Sequence, residues 1–324
     1  MARSPFADPA VPHASDPLAP WLAQRLGVRL VARSPVGGGC IHSAWRLSLA
    51  DGGRLFAKTG PLAALPLLES EADGLAALAA AADPQHLAVP APLALAAVEG
   101  QAVLVLPWLE LGAASGRQDP WRALGGALAA LHRRSLQGAL LDGDRGGVAY
   151  GWGRDNHIGA TPQANGWLEE WGPFFVERRL APQIARLARR EGPLAGAEAL
   201  LEQVPRWLAA HRPEPCLVHG DLWSGNAGLG RDGRGCLFDP SVHRADREVD
   251  LAMAHLFNGF PPEFFQGYES QWPLPAGHRQ RRDLYNLYHL LNHANLFGGG
   301  YSDQARRAIA ALLERDDLSP DTRA

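Results

Sequence analysis

Cys216-Leu217-Val218-His219-Gly220-Asp221-Leu222-Trp223-Ser224-Gly225-Asn226, followed by Cys236-Leu237-Phe238-Asp239, decides how the rest of this chain is read. Its two apolar runs, 216–218 and 236–238, read as short buried strands flanking a loop. The loop sets an Asp and an Asn five positions apart, and a second Asp ends the second strand. Phosphoryl transfer to an alcohol uses such a set. One carboxylate orients the attacking hydroxyl and accepts its proton. An amide oxygen and another carboxylate hold a divalent cation that neutralises charge on the bridging phosphates. On this reading Asp221 is the base, and Asn226 and Asp239 hold Mg²⁺. A surface turn rich in Asp and Asn would have neither the apolar flanks nor the second half.

Upstream, one residue stands out by type. The chain holds 31 Lys and Arg residues, and Lys58 is the one lysine among them. A chain rich in alanine that writes Arg for nearly every positive charge keeps a lysine where a compact ammonium on a flexible stem is needed. Lys58 closes the strand-like run Leu55–Lys58, after the hairpin signal Asp51-Gly52-Gly53. The order resembles a protein kinase, where a lysine at this place contacts the α- and β-phosphates of ATP. Gly37-Gly38-Gly39, between two strand-like runs and ahead of Lys58, would let the backbone approach those phosphates closely.

The remaining pattern completes a two-lobed α+β architecture. A helix is expected from Asp16 to Leu26, with Asp16 as N-cap and Gly27 as its stop. Strands are expected at 28–34, 43–49, 55–58 and 103–106, within a small five-stranded antiparallel lobe, residues 16–106. Its key helix, about 67–82, carries Glu69 and Glu71. Residues 107–116 form a hinge, where Trp108 and Leu109 would line the adenine site; Pro107 has no N–H to give. A mostly helical lobe follows over 117–316. Helices are expected at 121–134, 167–190, 195–211 and through most of 249–313, with a glycine-rich loop at 143–165. Residues 1–15 and 317–324 read as flexible ends, the first rich in Pro, Ala and Ser.

Several motifs are specific enough to suggest a family. The run His219 to Asn226, with Gly in its second place, resembles the aminoglycoside-phosphotransferase-like kinases. Asp239-Pro240, Asp246 to Met253, Leu284 to His293, Gly39-Cys40-Ile41-His42, Ile158 to Asn165 and Phe297-Gly298-Gly299-Gly300-Tyr301 together resemble the fructosamine-3-kinase (ketosamine-3-kinase) family over residues 20 to 310. The resemblance implies ATP- and Mg²⁺-dependent phosphorylation of the 3-hydroxyl of a ketosamine. The acceptor would be a fructosamine, ribulosamine or erythrulosamine adduct, free or on a protein, and the unstable product would release the amine. It implies that Glu71, just before Ala72-Asp73-Gly74-Leu75, holds Lys58; Glu69 lies on another helix face. It also implies that Asp250 braces the catalytic loop through backbone N–H groups, with His219 in support. The competing readings are a phosphotransferase for an aminoglycoside, choline or homoserine-like alcohol, and a nucleotide-binding pseudokinase. The 284–293 motif speaks against the first, and the full set Lys58, Glu71, Asp221, Asn226 and Asp239 against the second.

Other residues keep two readings. Trp223 either stacks on the sugar-amine or packs against its own lobe. His289 and His293, four apart on a helix, are core residues or a wall of the substrate pocket rather than a metal pair. Cys216 and Cys236 sit in apolar strands as inert core thiols. Cys40, in the loop expected over ATP, is a candidate for oxidation or for linking two chains. The chain is accordingly expected to be a monomer or a redox-sensitive homodimer. Three unpaired cysteines argue against a disulfide framework. A net charge of -3 without an Arg-rich block argues against nucleic acid. No long apolar run suggests a leader or a membrane span, so the cytoplasm is the expected compartment.

Overall fold

A computed structural model of the chain describes residues 16–37, 43–113, 119–315 and 317–318. Residues 1–15, the loop members Gly38, Gly39 and Cys40, and the end of the chain beyond 318 lie outside the described residues. The chain forms two compact units. The first comprises residues up to 76 together with 90–109; the second comprises 77–89 and everything from 110 onward. In chain order the first part contains α1 (Leu18–Leu26), β1 (Leu30–Val36), β2 (Ser43–Leu49), β3 (Arg54–Pro61), α2 (Leu65–Ala81), β4 (Leu87–Ala88), β5 (Ala94–Val98) and β6 (Gln101–Pro107).

The first unit is built on an antiparallel sheet of order β1-β2-β3-β6-β5. Asp51-Gly52-Gly53 makes the β2–β3 hairpin as its sequence suggests, with the Asp51 carboxylate accepting the Gly53 N–H at 2.8 Å. The sequence leaves one of the five strands unlocated. It is β5, whose Ala-Leu-Ala-Ala-Val has little strand propensity of its own. It forms because it pairs with β6 from Ala94–Val105 to Val98–Gln101. Helix α1 starts at Leu18, whose N–H is accepted by Asp16 Oδ1 at 3.0 Å. It packs Leu18 and Leu22 into a core with Leu47, Ala57 and Val105. Ala57 and Thr59 are buried, so strand alternation turns Lys58 to the opposite face of β3.

The second unit is mostly helical. It continues with α3 (Pro120–Ser135), β7 (Asn156–Ile158), β8 (Thr161–Gln163), α4 (Trp171–Phe175), α5 (Ala181–Glu191) and α6 (Ala197–Trp207). Four short strands follow: β9 (Cys216–Val218), β10 (Ala227–Leu229), β11 (Gly235–Leu237) and β12 (His243–Ala245). The chain then forms α7 (Glu248–Leu256), α8 (Pro262–Gln271), α9 (His278–Phe297) and α10 (Gly300–Leu313). Two expectations change here. The stretch 143–165 is more than a loop, because it contains the β7–β8 hairpin. The helix expected from 167 starts at Trp171 and passes through a π-helical turn, Val176–Leu180, before α5.

Two apolar cores organise this unit. One gathers Trp171, Phe174, Leu187, Leu200, Tyr285 and Leu291 around α9. The other gathers Leu124, Leu128, Leu217, Leu222, Leu251 and Phe264, and so holds the strands that carry the catalytic-type loop. Helices α3 and α8 cross backbone to backbone. A Cβ at Gly125 would lie 1.9 Å from the Phe264 carbonyl oxygen, and one at Gly267 2.0 Å from that of Arg122.

Candidate active site

The segment 219–226 connects β9 to β10, and Asp239 follows β11. Its second residue has to be glycine. Gly220 has φ +79°, and a Cβ there would lie 2.1 Å from the Ser241 carbonyl oxygen. This close approach lets the Ser241 N–H donate to the His219 carbonyl at 2.8 Å, which ties the loop to the segment carrying Asp239. Asp250 in the first turn of α7 holds the loop from beneath. Its two carboxylate oxygens accept the His219 N–H at 2.7 Å and the Gly220 N–H at 2.8 Å. Burial alone would raise the Asp250 pKa. The His132 hydrogen bond and charge, with His219 and the Gly220 N–H, outweigh it and hold Asp250 below the usual carboxylate range.

Asp221, Asn226 and Asp239 come together at the mouth of this loop. The Asn226 amide nitrogen donates to the Asp221 carboxylate at 3.0 Å and to the Asp221 and Asp239 carbonyls at 2.9 and 3.3 Å. Burial pushes the Asp221 carboxyl up to about 7. The Asn226 hydrogen bond offsets this in part, and the Asp239 and Asp250 carboxylates add to it. Asp239 has φ +55°, an uncommon conformation for a side-chain-bearing residue. His219 is fully buried; burial lowers its pKa, so the ring is neutral at pH 7. Its Nε2 lies 3.0 Å from the Phe238 carbonyl, and its Nδ1 accepts the Asp221 N–H at 3.3 Å. The ring therefore links the loop to the residue just before Asp239.

The first unit carries the other sequence-selected residues. Lys58 Nζ lies 2.8 Å from Glu71 Oε1, and both side chains are 12% exposed. Gly37 forms a bend directly after β1, with open space where a Cβ would be. Trp108 lies 6.4 Å from Phe56 between ring centroids, and its indole N–H is buried without a hydrogen-bond partner. Leu109 is half-buried, at the end of this unit.

The remaining candidates divide. Trp223 is 40% exposed, with its ring folded over Gly225, where a Cβ would lie 2.2 Å from the ring, and its edge toward Phe257. His289 is 3% exposed and its Nδ1 has no partner; burial, then the nearby His293, lowers its pKa to about 3. His293 sits among Phe257, Phe297 and Tyr301. Among the described residues the one cluster spaced for a metal is elsewhere: His211, Asp246 and Glu248. It is already occupied by protein groups. Arg281 grips Glu248 through two hydrogen bonds, and the Tyr285 hydroxyl donates to Asp246 at 2.7 Å.

Two features of the site escape the sequence. His132, fully buried at the end of α3, puts Nε2 3.1 Å from the Asp250 carboxylate and Nδ1 2.8 Å from the Tyr268 hydroxyl. Its signal is a histidine on the apolar stripe of α3, a pattern shared by many inert core histidines. The second is a clamp behind Asp239. Asn156 and Gln163 of the β7–β8 hairpin donate to the Val242 and Ser241 carbonyls at 2.7 and 3.3 Å. Tyr288 and Arg179 anchor that hairpin through Gln163 and Asn165 at 2.6 and 2.7 Å. No spacing rule announces it.

Comparison with known proteins gives this geometry a setting. Residues 18–315 match the family model described as fructosamine kinase. The chain belongs to the fructosamine kinase family. The "Probable ketoamine kinase" of Synechocystis is 41% identical over 304 residues, covering 91% of this chain and 97% of that one. The "Protein-ribulosamine 3-kinase, chloroplastic" of Oryza sativa subsp. indica is 35% identical over 303 residues, covering 92% and 84%. A crystal structure of a candidate fructosamine-3-kinase from Haemophilus somnus superposes with TM-score 0.79 at 25% identity, covering 92% of this chain and 97% of that one. The expected α+β fold with a kinase-like arrangement is therefore shown. As a fructosamine kinase, the chain is a phosphotransferase that uses ATP and has an alcohol as acceptor. No helix among the described residues is long and apolar enough to cross a membrane.

Proposed function

We propose that this fructosamine kinase transfers the γ-phosphoryl group of ATP to the 3-hydroxyl of a ketosamine, and that the product then sheds its amine. The observation that carries the reading is the convergence of Asp221, Asn226 and Asp239 on a loop braced by Asp250. Asp221 orients the substrate hydroxyl and takes its proton. Its raised affinity for that proton suits a base working near neutral pH. An Asp carboxylate beside an Asn amide offers the hard oxygen donors that suit Mg²⁺, so Asn226 and Asp239 are the residues to hold it. When bound, the ion neutralises negative charge on the phosphates. Lys58, kept in place by Glu71, presents its ammonium to the phosphates, and Gly37 helps to cover them. Trp108 and Leu109 take the adenine. Trp223 and His289 are assigned to the substrate wall. His293 is assigned to the same wall, and His219 and Asp250 hold the loop.

The test is a steady-state kinase assay over fructosamine, ribulosamine and erythrulosamine adducts of lysine, following ADP formation and amine release together. Turnover on at least one adduct, abolished in Asp221→Asn, is expected. An enzyme stabilised by ATP and Mg²⁺ in a thermal melt yet inert on every adduct would overturn the reading.

A further inference from the structure

Two exposed aromatic side chains stand out among the described residues: Trp223 at 40% and Phe297 at 62%. They are not scattered. Trp223 meets Phe257 edge-on at 6.5 Å between centroids, and Phe257 meets His293 at 4.9 Å. His293 meets Phe297 at 5.6 Å and Tyr301 at 5.1 Å, and those last two meet at 6.1 Å. Every step lies in the range of a genuine ring–ring contact. An unbroken aromatic strip therefore runs from the residue two places after Asp221 to the junction of α9 and α10. The backbone is fitted to it. Gly225 leaves room for the Trp223 ring, and a Cβ at Gly259 would lie 2.1 Å from Ser224 Oγ, so residues 257–259 press directly against the catalytic loop.

We propose that this strip is the binding surface for the amine-derived half of the ketosamine, and that it selects adducts whose amine carries an apolar or aromatic body. The inference rests on the function proposed above and extends it. A ketosamine is chemically lopsided about its reacting carbon. On one side is a polyol that needs hydrogen-bond partners. On the other, two carbons from the 3-hydroxyl, is a secondary amine that is positively charged at neutral pH and bears an organic substituent. Ring faces attract a cation and cover apolar surface, and they offer little to a polyol. Phosphorylation at the 3-hydroxyl puts that carbon at Asp221, and the strip begins at Trp223. The amine is then the half that can follow the strip outward, and a longer substituent reaches more rings. His293, the middle member, suits this. Desolvation lowers its pKa, so it stands there as a neutral ring and does not repel the ammonium.

The test uses two adducts of one sugar that the enzyme turns over, one of methylamine and one of phenethylamine. The wild type is expected to favour the phenethylamine adduct by about ten-fold in kcat/KM, with the difference in KM. Phe297→Ala, and Phe297→Ala combined with Tyr301→Ala, are expected to shrink that ratio toward one, whereas Phe297→Trp keeps it. Phe297 is exposed, so its loss does not threaten folding; a thermal melt checks this. Equal kcat/KM for both adducts in the wild type, or a ratio that Phe297→Ala leaves where it was, overturns the proposal. Failure of the wild type on all ketosamines removes the proposed function itself, and that result is distinct from turnover without amine preference.

Discussion

Asp221 and Asp250 attend the same loop from opposite sides, and burial acts on both. Even so, they shift in opposite directions: Asp221 up to about 7, Asp250 below its ordinary value of 3.8. The difference lies in their neighbours. Asp250 is surrounded by donors, with two backbone N–H groups and the His132 ring on its oxygens. Asp221 has the Asn226 amide and faces other carboxylates. A carboxylate met by donors is a stable strut. A carboxylate facing carboxylates is eager for a proton, as a base should be. On the function proposed above, the fold makes a reagent and a support from one residue type, by choosing what surrounds each.

Replacing the reagent should give the largest effect. Asp221→Asn is expected to cut kcat by roughly a thousand-fold while ATP affinity in a thermal-shift titration changes little. The same variant tests the pKa contrast. The folded Asp221 binds its proton more tightly than the unfolded chain, so the stability linked to that proton is present at low pH and is lost as pH rises through about 7. Without added divalent cation, the Asn variant should melt higher than wild type at pH 8 and no higher at pH 4. An equal shift at both pH values would contradict the contrast.

Replacing the strut should cost stability first. Asp250→Asn leaves two N–H groups and His132 facing a poorer acceptor, at about 3 kcal/mol by denaturant titration. Because the folded pKa of Asp250 is depressed, its contribution is present above about pH 4 and is lost as pH falls through its lower folded value. The variant should therefore lose less than wild type on acidification. His132→Phe should cost about 1–3 kcal/mol by stranding Asp250 and the Tyr268 hydroxyl. It should also lower kcat with little change in the KM for ATP, because the loop that shifts carries the proposed base, Asp221. A fall in stability with kcat intact would make His132 a packing residue only. The smallest expected effect lies in the other unit, where Lys58→Arg should raise the KM for ATP about ten-fold. Unchanged kinetics there would defeat the argument from the lone lysine.

How much of this was legible in the sequence follows from how local each signal is. The catalytic segment is readable because its residues lie within one short stretch between two apolar strands. Lys58 is readable because composition isolates it, and Glu71 because a known family motif follows it. The brace at Asp250 is readable through its family motif, but what stands behind it, His132 and the hairpin clamp, is not, because it is assembled from distant positions. His132 reaches Asp250 across 118 residues, and Tyr288 reaches Gln163 across 125. Strand β5 fails for a related reason, since alanines become a strand through a partner and not through their own preference. The aromatic strip falls between the two cases. Trp223 and the Phe297–Tyr301 motif stand out singly in the chain, but only folding joins them through Phe257 and His293.

The pairing of Lys58 with Glu71 has a practical corollary. A chain with one ε-amine gives an amine-directed reagent a single lysine to modify. That amine is 12% exposed and held by a carboxylate at 2.8 Å. Its acylation with and without ATP, followed by peptide mass spectrometry, would test from one peptide whether nucleotide shields Lys58, as the proposed function expects. On the function proposed above, the same scarcity leaves the enzyme almost no side-chain amine of its own on which a sugar adduct could form.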